Sequence, residues 1–315
     1  MKPLKKIWMN GKFVNWNDAK IHVLTHGLHY ATAIFEGMRC YDTPDGPAIF
    51  RMKDHYKRFF QGAKSYQFDI NYTMDELMRA TRELVKVNKV RSCYIRPILY
   101  VGYSEIGIST LGKPFELSII PVDFAKYFGK KAEKGIRCMV SSWRRISTNV
   151  LSPHVKATAN YLNSSLAKRE AINAGYDEAI MLSHDGHVSE GTGENIFVVR
   201  NGELVTPPLH DGVLAGVTRQ TVMELAEELD IRVSERSILR DEIYTAEEMF
   251  LCGTAAEITP VLSVDQRVIG DAPGPITNSM RDAFFNVVQG KDERYLKWLD
   301  FVNGKKRPVI DSDSY

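Results

Sequence analysis

The sequence predicts a two-domain α+β protein, and three observations support this prediction. The chain has 315 residues, which is enough for two domains of ordinary size. Strand patterns and helix patterns are mixed along both halves, which is typical of folds that combine sheets with helices. A segment with one glycine and four lysines, 123–134, predicts a loop between a domain at 1–122 and a domain at 135–302, with a tail at 303–315.

Composition and charge exclude several classes of protein. Hydrophobic residues make up 44% of the chain and charged residues 25%, which is ordinary globular composition. The 41 basic and 39 acidic side chains give a net charge of +2, so no basic surface for nucleic acid or an anionic membrane is expected. No apolar run reaches the roughly 20 residues of a membrane helix. A first segment without a secretory pattern and four scattered cysteines lead us to expect a cytoplasmic protein with isolated reduced thiols.

The first domain is predicted to contain two hairpins, two helices and further strands. Hairpin turns with a glycine between apolar stretches are predicted at Asn10-Gly11 and Asp45-Gly46. Strands are predicted at 48–50, 92–101 and 115–122. Helices are predicted at 53–66 and, from a capping box formed by Thr73 and Glu76, at 73–88. The predicted buried stripes are Tyr56, Phe59, Ala63 and Tyr66 in the first helix and Leu77, Ala80, Leu84 and Val87 in the second.

The second domain is predicted to contain more strands and three helices. Strands are predicted at 136–141, 176–182, 196–199, 204–205 and 249–252. Helices are predicted at 161–174, from about Val217 with Val222, Leu225, Ala226 and Leu229 buried, and from Pro275. We expect the stretch 305–315 to be poorly ordered.

Lys156 stands among small and apolar residues, just before a helical pattern that Asn160 could cap. Burial favours the neutral form of a lysine amine, which is the form that reacts with aldehydes and ketones. The local context alone does not distinguish Lys156 from a surface lysine.

Two arginines are each open to two interpretations. Arg58 lies off its helix stripe and could simply be solvated, whereas Arg96 interrupts an apolar strand and needs a structural or a substrate carboxylate.

Three stretches together resemble the branched-chain amino-acid aminotransferases. They are Val155-Lys-Ala-Thr-Ala-Asn-Tyr161, Val188-Ser-Glu-Gly-Thr-Gly-Glu-Asn195 and Gly253-Thr-Ala-Ala-Glu-Ile-Thr-Pro260. The resemblance covers the chain from about Trp8 to about Val302. It implies fold type IV of the pyridoxal-phosphate enzymes, in which a small α/β domain and a larger domain with a β-barrel-like core are joined by an interdomain loop. It also implies a homodimer or a higher homo-oligomer.

The resemblance further implies which residues bind pyridoxal 5'-phosphate. Lys156 is expected to bind the cofactor aldehyde and to move the proton during catalysis. Glu190 is expected to accept a hydrogen bond from the pyridine nitrogen, because its charge keeps that nitrogen protonated. Tyr161 is expected at the ring hydroxyl and Leu214 on the ring face. The residues implied at the phosphate are Arg58, Val217, Thr218 and Thr254, and the glycine-led helix start before Val217 is by itself a weak anion-site pattern.

The implied substrate site combines polar and aromatic residues. The amides of Thr254 and Ala255, with Tyr94, are expected to receive the α-carboxylate, and Arg96 the γ-carboxylate of glutamate. The implied pocket wall consists of Tyr30, Phe35, Gly37 and Tyr127. The family often has Trp-Gly-Ala-Tyr in the interdomain loop where this chain has Phe124-Ala-Lys-Tyr127, so the loop contacts around Phe124 are left open.

The implied reaction transfers the amino group of L-leucine, L-isoleucine or L-valine to 2-oxoglutarate. Tyr94-Ile-Arg96-Pro favours this activity over two others of the same family, D-amino-acid transaminase and aminodeoxychorismate lyase. A metal-dependent hydrolase built on His22, His26 and His29 is a different class, but Gly27 lies within that set and no suitably spaced carboxylate completes it, so we expect no metal. A non-catalytic binding protein is the third alternative. The matched polar residues count against it.

Overall fold

Two nine-stranded sheets form the framework of the computed structural model, which describes residues 2–123, 127–129, 131–270 and 273–304. The chain divides into two compact units. The first unit takes in the described residues of Met1–Ala125, Val155–Ala159 and Asn286–Tyr315, and the second takes in those of Lys126–His154 and Asn160–Phe285. The first unit therefore draws on three separate parts of the sequence, whereas the boundaries expected at 122, 134 and 302 remain predictions. No described helix has both the length and the apolar character needed to cross a bilayer.

The described strands are, in chain order, β1 (Lys2–Pro3), β2 (Lys6–Met9), β3 (Lys12–Asn15), β4 (Ala33–Phe35), β5 (Met38–Thr43), β6 (Gly46–Phe50), β7 (Cys93–Val101), β8 (Phe115–Asp123), β9 (Ile136–Arg144), β10 (Glu178–Leu182), β11 (Val188–Gly191), β12 (Asn195–Arg200), β13 (Glu203–Thr206), β14 (Val233–Glu235), β15 (Glu248–Gly253), β16 (Glu257–Val264), β17 (Arg267–Val268) and β18 (Leu299–Phe301). The described α-helices are α1 (His26–Tyr30), α2 (Met52–Ser65), α3 (Met74–Asn88), α4 (Lys131–Lys134), α5 (Thr158–Asn173), α6 (Val217–Glu228), α7 (Arg240–Tyr244) and α8 (Pro275–Val288). Short 3-10 helices lie at Trp16–Asp18, Leu209–Asp211 and Glu293–Trp298.

The sheet of the first unit is antiparallel, with the order β18-β6-β5-β7-β8-β2-β3, and β4 and β1 pair with β7 and β8. Both predicted hairpins are confirmed. Asn10 and Gly11 have the positive φ angles of 47° and 88° that the tight turn between β2 and β3 requires. In the second hairpin the turn lies at 44–45, and Gly46 is already the first residue of β6.

Helices α2 and α3 cover the core of the first unit. Tyr56, Phe59 and Ala63 of α2 are buried as predicted, and so are Leu77 and Leu84 of α3. The predicted burial of Val87 is wrong, because Val87 is 38% exposed whereas Val85 is buried. The buried positions of α3 are 77, 81, 84, 85 and 88, so position 87 falls off the helix face that meets the core.

The sheet of the second unit is mixed, with the order β11-β10-β9-β16-β15-β12-β13-β14, and β17 pairs with β16. Strand β9 runs parallel to both of its neighbours, which brings the end of β9 beside strands from much later in the chain. Helix α6 begins at Val217 as predicted, and Val222, Leu225 and Ala226 are buried. Leu229, which was also expected inside, is 42% exposed because it lies beyond the last turn.

Three further expectations differ from the structure. Asn160 does not cap α5, because the helix already begins at Thr158; Asn160 is buried in the first turn and donates to the carbonyl of Ser152 at 2.9 Å. Strand β18 was not predicted. The four cysteines are free and buried, but Cys40 and Cys93 are not isolated: they lie opposite each other on β5 and β7, and their hydrogen bond together with burial raises the pKa of the Cys40 thiol. The stretch 305–315 lies outside the described residues.

Candidate active site

Phe35, at the end of β4, lies next to two predicted site residues. Its backbone N–H donates to the carbonyl oxygen of Lys156 at 2.9 Å, and the Nζ atom of Lys156 lies 5.1 Å from the centre of its ring. The guanidinium carbon of Arg96 lies 4.5 Å from the centre of the same ring. Lys156 is half-buried, between the fully covered Val155 and Ala157. One aromatic ring therefore contacts both an amine and a guanidinium group.

Tyr94 and Arg96 lie two residues apart on β7 and so point to the same face of the sheet. Arg96 Nη2 donates to the Tyr94 hydroxyl at 2.9 Å. Gly37 packs against this hydroxyl so closely that a Cβ atom on Gly37 would overlap it. The Nε atom of Arg96 is buried and has no hydrogen-bond partner among the described residues, so the guanidinium retains a donor for a carboxylate.

Arg58, on α2, binds a carboxylate that the sequence analysis did not single out. Its Nε and Nη2 atoms donate to the two oxygens of Glu36 at 2.6 and 2.9 Å. Glu36 is completely buried between Phe35 and Gly37. The same reasoning that drew attention to Arg96, a charged residue within an apolar stretch, would have identified Glu36.

Glu190, on β11 of the second unit, is held by three nearby groups. The guanidinium Nη2 of Arg145 lies 2.7 Å from one of its oxygens, and both side chains are almost fully buried. The other oxygen accepts from the backbone N–H of Leu214 at 3.0 Å and from the side-chain amide of Asn195 at 3.1 Å. Arg145 itself also donates to the carbonyl of Gly212 at 3.3 Å and to the Ser164 hydroxyl, also at 3.3 Å. This network fixes an acceptor-only carboxylate in one orientation, as a partner for a protonated ring nitrogen requires.

The start of α6 is fitted closely to this carboxylate network. The amide of Asn195 also donates to the carbonyl of Leu214 at 3.0 Å, and a Cβ atom on Gly216 would overlap Asn195 Oδ1. Gly216 precedes α6 and supplies no side-chain cap. The first amides of a 12-residue helix, those of Val217 and Thr218, therefore form a site suited to a phosphate.

The remaining predicted residues occupy the ends of other elements. Thr254 and Ala255 lie in the turn between β15 and β16, shortly after Cys252, which pairs with Asn195. Tyr161 is half-buried in the first turns of α5. Tyr127 is 42% exposed, and the Lys168 amine lies 5.6 Å from the centre of its ring. Phe124 lies outside the described residues.

The N-terminal histidines of the first unit bind protein groups. The ring of His26 is buried, bonded to the Thr32 hydroxyl and the Gly107 carbonyl, both at 2.7 Å, and lies 4.5 Å from the ring of Tyr30. His29 bonds to the carbonyl of Val23 at 2.8 Å. Among the described residues, no group of three or more histidine, cysteine or acidic side chains is arranged to hold a metal.

A second buried carboxylate lies four residues beyond Glu190 in the sequence. Burial, the nearby charge of Glu178 and that of Glu190 raise the pKa of Glu194 to about 8, although Lys168 and the Gly193 N–H act in the opposite direction. Glu178 is itself bound by Lys168 at 2.5 Å and by the Thr192 hydroxyl at 2.7 Å. These surroundings therefore favour the protonated form of Glu194.

The chain matches known proteins over most of its length. Residues 33–264 match the family model described as amino-transferase class IV. The branched-chain-amino-acid aminotransferase of Escherichia coli (strain K12) is 44% identical over 300 residues, which cover 94% of this chain and 97% of that protein.

Solved structures agree with this result. A crystal structure of Escherichia coli branched-chain amino acid aminotransferase has a TM-score of 0.93 and 43% identity, and the match covers 95% of this chain and 100% of that one. The branched-chain amino acid aminotransferase from Thermobaculum terrenum in its PLP form has a TM-score of 0.90 and 39% identity, over 96% of this chain and 99% of the other. The predicted fold type is thereby confirmed. The chain belongs to the class IV aminotransferase family and is similar throughout to its branched-chain members.

Proposed function

We propose that this protein transfers the amino group of L-leucine, L-isoleucine or L-valine to 2-oxoglutarate, giving the branched-chain 2-oxo acid and L-glutamate. The reaction is reversible and proceeds in two half-reactions, with one substrate leaving before the next one binds. The similarity to branched-chain aminotransferases supports the substrate class. The observation that carries the proposal is the group around Phe35, in which the Lys156 amine and the Arg96 guanidinium contact one aromatic ring.

We propose pyridoxal 5'-phosphate as the cofactor. When bound, it supplies an aldehyde that takes up the amino group and a ring that stabilises negative charge at the substrate α-carbon. The donors available suit its phosphate: the guanidinium of Arg58, the first amides of α6 at Val217 and Thr218, and the hydroxyl of Thr254. The close approach of Gly216 to Asn195, which leaves no room for a side chain, also supports a backbone site built for an anion.

Lys156 is the proposed catalytic residue. Its amine would hold the cofactor through the cofactor's aldehyde and would move the proton at the substrate α-carbon. Glu190 would hold the proton at the pyridine nitrogen of the cofactor, because its bonds to Arg145 and Leu214 keep the carboxylate in one orientation. Tyr161 is proposed to bond the ring hydroxyl, and Leu214 to cover one ring face.

Substrate selection must accommodate an aliphatic side chain and a γ-carboxylate in turn. The aromatic and small residues Tyr30, Phe35, Gly37 and Tyr127 suit the aliphatic chain. Arg96 suits the γ-carboxylate, because its buried Nε–H group has no acceptor among the described residues and can donate a hydrogen bond to it. Tyr94 is proposed to bind the α-carboxylate together with the amides of Thr254 and Ala255.

We also propose that the protein is a homodimer or a higher homo-oligomer. Residues 102–114 expose three large apolar side chains, with Ile106 75%, Ile108 83% and Leu111 92% accessible. A monomer gains nothing from such exposure, whereas a second copy of the chain would cover it. Light scattering of the purified protein tests this point, and the mass of a single chain would contradict it.

The visible absorption spectrum tests the cofactor and the reaction together. With pyridoxal 5'-phosphate, the protein should show a yellow absorption band that is lost on adding L-leucine without an oxo acid and returns with 2-oxoglutarate. The Lys156→Ala variant should lack this band. A band that ignores L-leucine but responds to D-alanine would instead indicate the D-specific relative. No band after added cofactor would overturn the proposed function.

A further inference from the structure

The Glu36 carboxylate is a fully buried charge held by several donors. It follows β4 in an otherwise apolar stretch, and its side chain has no exposed surface. Four donors converge on its two oxygens. These are Arg58 Nε at 2.6 Å, Arg58 Nη2 at 2.9 Å, His55 Nδ1 at 2.8 Å and the backbone N–H of Gly37 at 3.1 Å.

The charge state of this group follows from its surroundings. Burial alone would favour the neutral acid, but the charge of Arg58 and the bonds from His55 and Arg58 outweigh it and hold the pKa of Glu36 far below its usual value. Burial lowers the pKa of His55, and the charges of Arg58 and Lys156 act in the same direction against that of Glu36. The group is therefore a carboxylate bound by a guanidinium and by an imidazole that donates through Nδ1.

Helix α2 sets the geometry of the two donors. His55 and Arg58 are three residues apart, so they project from the same face of the helix toward Glu36. A carboxylate that accepts from both Nε and Nη2 fixes the plane of a guanidinium as well as its position. A single bond, or water, would leave the long arginine side chain free to rotate.

We propose that Glu36, held by His55, is a positioning residue that presents Arg58 to the cofactor phosphate. This inference rests on the proposed function, in which Arg58 binds that phosphate. Glu36 touches neither cofactor nor substrate in this role; it fixes the plane of the guanidinium and offsets its buried charge. Phosphate recognition would then depend on Glu36, which follows Phe35 in the short stretch between β4 and β5.

Two ligands separate this role from a general structural one. Pyridoxal 5'-phosphate carries the phosphate and pyridoxal does not, so a residue that acts through Arg58 should affect only the first. In Glu36→Gln one carboxylate oxygen becomes an amide NH₂ group. This group cannot accept a hydrogen bond, although the Arg58, His55 and Gly37 donors still point toward it. We expect the dissociation constant for pyridoxal 5'-phosphate to rise about tenfold to a hundredfold, and that for pyridoxal to change by less than about twofold.

The measurement is a titration of the full-length protein with each ligand separately, after L-leucine has converted bound cofactor to its amine form and dialysis has removed it. The variants are Glu36→Gln, Arg58→Met and the double variant. The matched control is Asp300→Asn, because Asp300 also binds an arginine, Arg82, through two oxygens at 2.9 and 3.1 Å in the same unit. Asp300→Asn should leave both dissociation constants unchanged.

The double variant tests whether Glu36 affects cofactor binding through Arg58. If Glu36 acts through Arg58, adding Glu36→Gln to Arg58→Met should weaken cofactor binding no further. An additive loss, or an equal loss for pyridoxal, would overturn the inference. Should Glu36→Gln fail to fold, His55→Leu removes one donor while keeping the carboxylate. It should weaken binding of the phosphorylated ligand by a smaller factor, and no change would count against the role.

Failure of the inference can be distinguished from failure of the proposed function. If Arg58→Met binds both ligands as tightly as the unchanged protein, Arg58 does not bind the phosphate and that part of the proposed function is wrong. If Arg58→Met selectively loses affinity for pyridoxal 5'-phosphate but Glu36→Gln does not, only the positioning role is wrong.

Discussion

Three of the buried glutamates, Glu36, Glu190 and Glu194, are accommodated by different means. Glu36 is paired with Arg58, and Glu190 is paired with Arg145, so each carboxylate lies next to a fixed positive charge. Glu194 has no arginine bound to it among the described contacts and retains its proton instead. A charge removed from water must be either paired or neutralised, and this protein uses both solutions within a few residues of its proposed active site.

At the same scale, Arg96 should distinguish the two classes of substrate. In Arg96→Ala the γ-carboxylate of glutamate loses a charge-assisted hydrogen bond, whereas leucine has no group that needs it. We expect KM for glutamate to rise roughly tenfold to a hundredfold and KM for leucine to change far less. Steady-state kinetics with each amino acid checks this expectation. An equal rise for both substrates would mean that Arg96 acts only on packing around Phe35.

The sequence predicts some residues of the candidate site, but it does not predict their long-range partners. Arg96 stands out because its charge interrupts an apolar strand, and Lys156 because the stretch around it, together with two later stretches, resembles the branched-chain amino-acid aminotransferases. The partners were not found. Arg145 binds Glu190, which lies 45 residues later in the chain. This contact depends on the parallel pairing of β9 with β10, and no local sequence pattern predicts that pairing.

At the scale of elements, local signals were reliable where the relevant contacts are local. The Thr73–Glu76 capping box is present as predicted: the Glu76 N–H donates to the Thr73 hydroxyl, and the Thr73 N–H donates to the Glu76 carboxylate at 2.7 Å. The cap expected at Asn160 is wrong, because α5 begins two residues earlier, at Thr158, and Asn160 lies inside its first turn. Strand β18 escaped prediction because three residues carry no periodicity and only the edge of β6 makes them a strand.

The capping box permits a prediction about α3. Thr73→Ala removes the acceptor for the Glu76 N–H and should lower the free energy of unfolding by about 1 kcal/mol, with no change in kcat. Urea unfolding followed by circular dichroism would measure this loss as a lower midpoint at constant slope. Thr73→Ser keeps the hydroxyl and serves as the control. If serine destabilises as much as alanine, the cap is not the cause.

At the scale of the whole molecule, Glu194 should make stability depend on pH. Its pKa is about 8 in the folded chain, against 4.5 for an ordinary glutamate, so between these values the native state holds a proton that the unfolded state has lost. Rising pH across this window therefore favours unfolding, by at most about 1.4 kcal/mol per pH unit from this group.

The variant Glu194→Gln isolates this contribution. Glutamine stays neutral, so the loss of stability between pH values of about 5 and 8 should become smaller than in the unchanged protein. Chemical denaturation at several pH values in this range provides the comparison. The surface variant Glu227→Gln is the control and should keep the original slope. Identical slopes for Glu194→Gln and the unchanged protein would show that Glu194 is already ionised.

The return of β18 to β6 has a consequence for how the protein is made. Translation proceeds from the first residue to the last, and β6 leaves the ribosome about 250 residues before its partner, at a rate of about 5–20 residues per second. For that interval, β6 has an unpaired edge with free backbone donors and acceptors. In the second unit, β9 waits in the same way for its partner β16, but that interval is shorter, at about 110 residues. Until β18 has been made, the edge of β6 is therefore open to pairing with a strand of another chain.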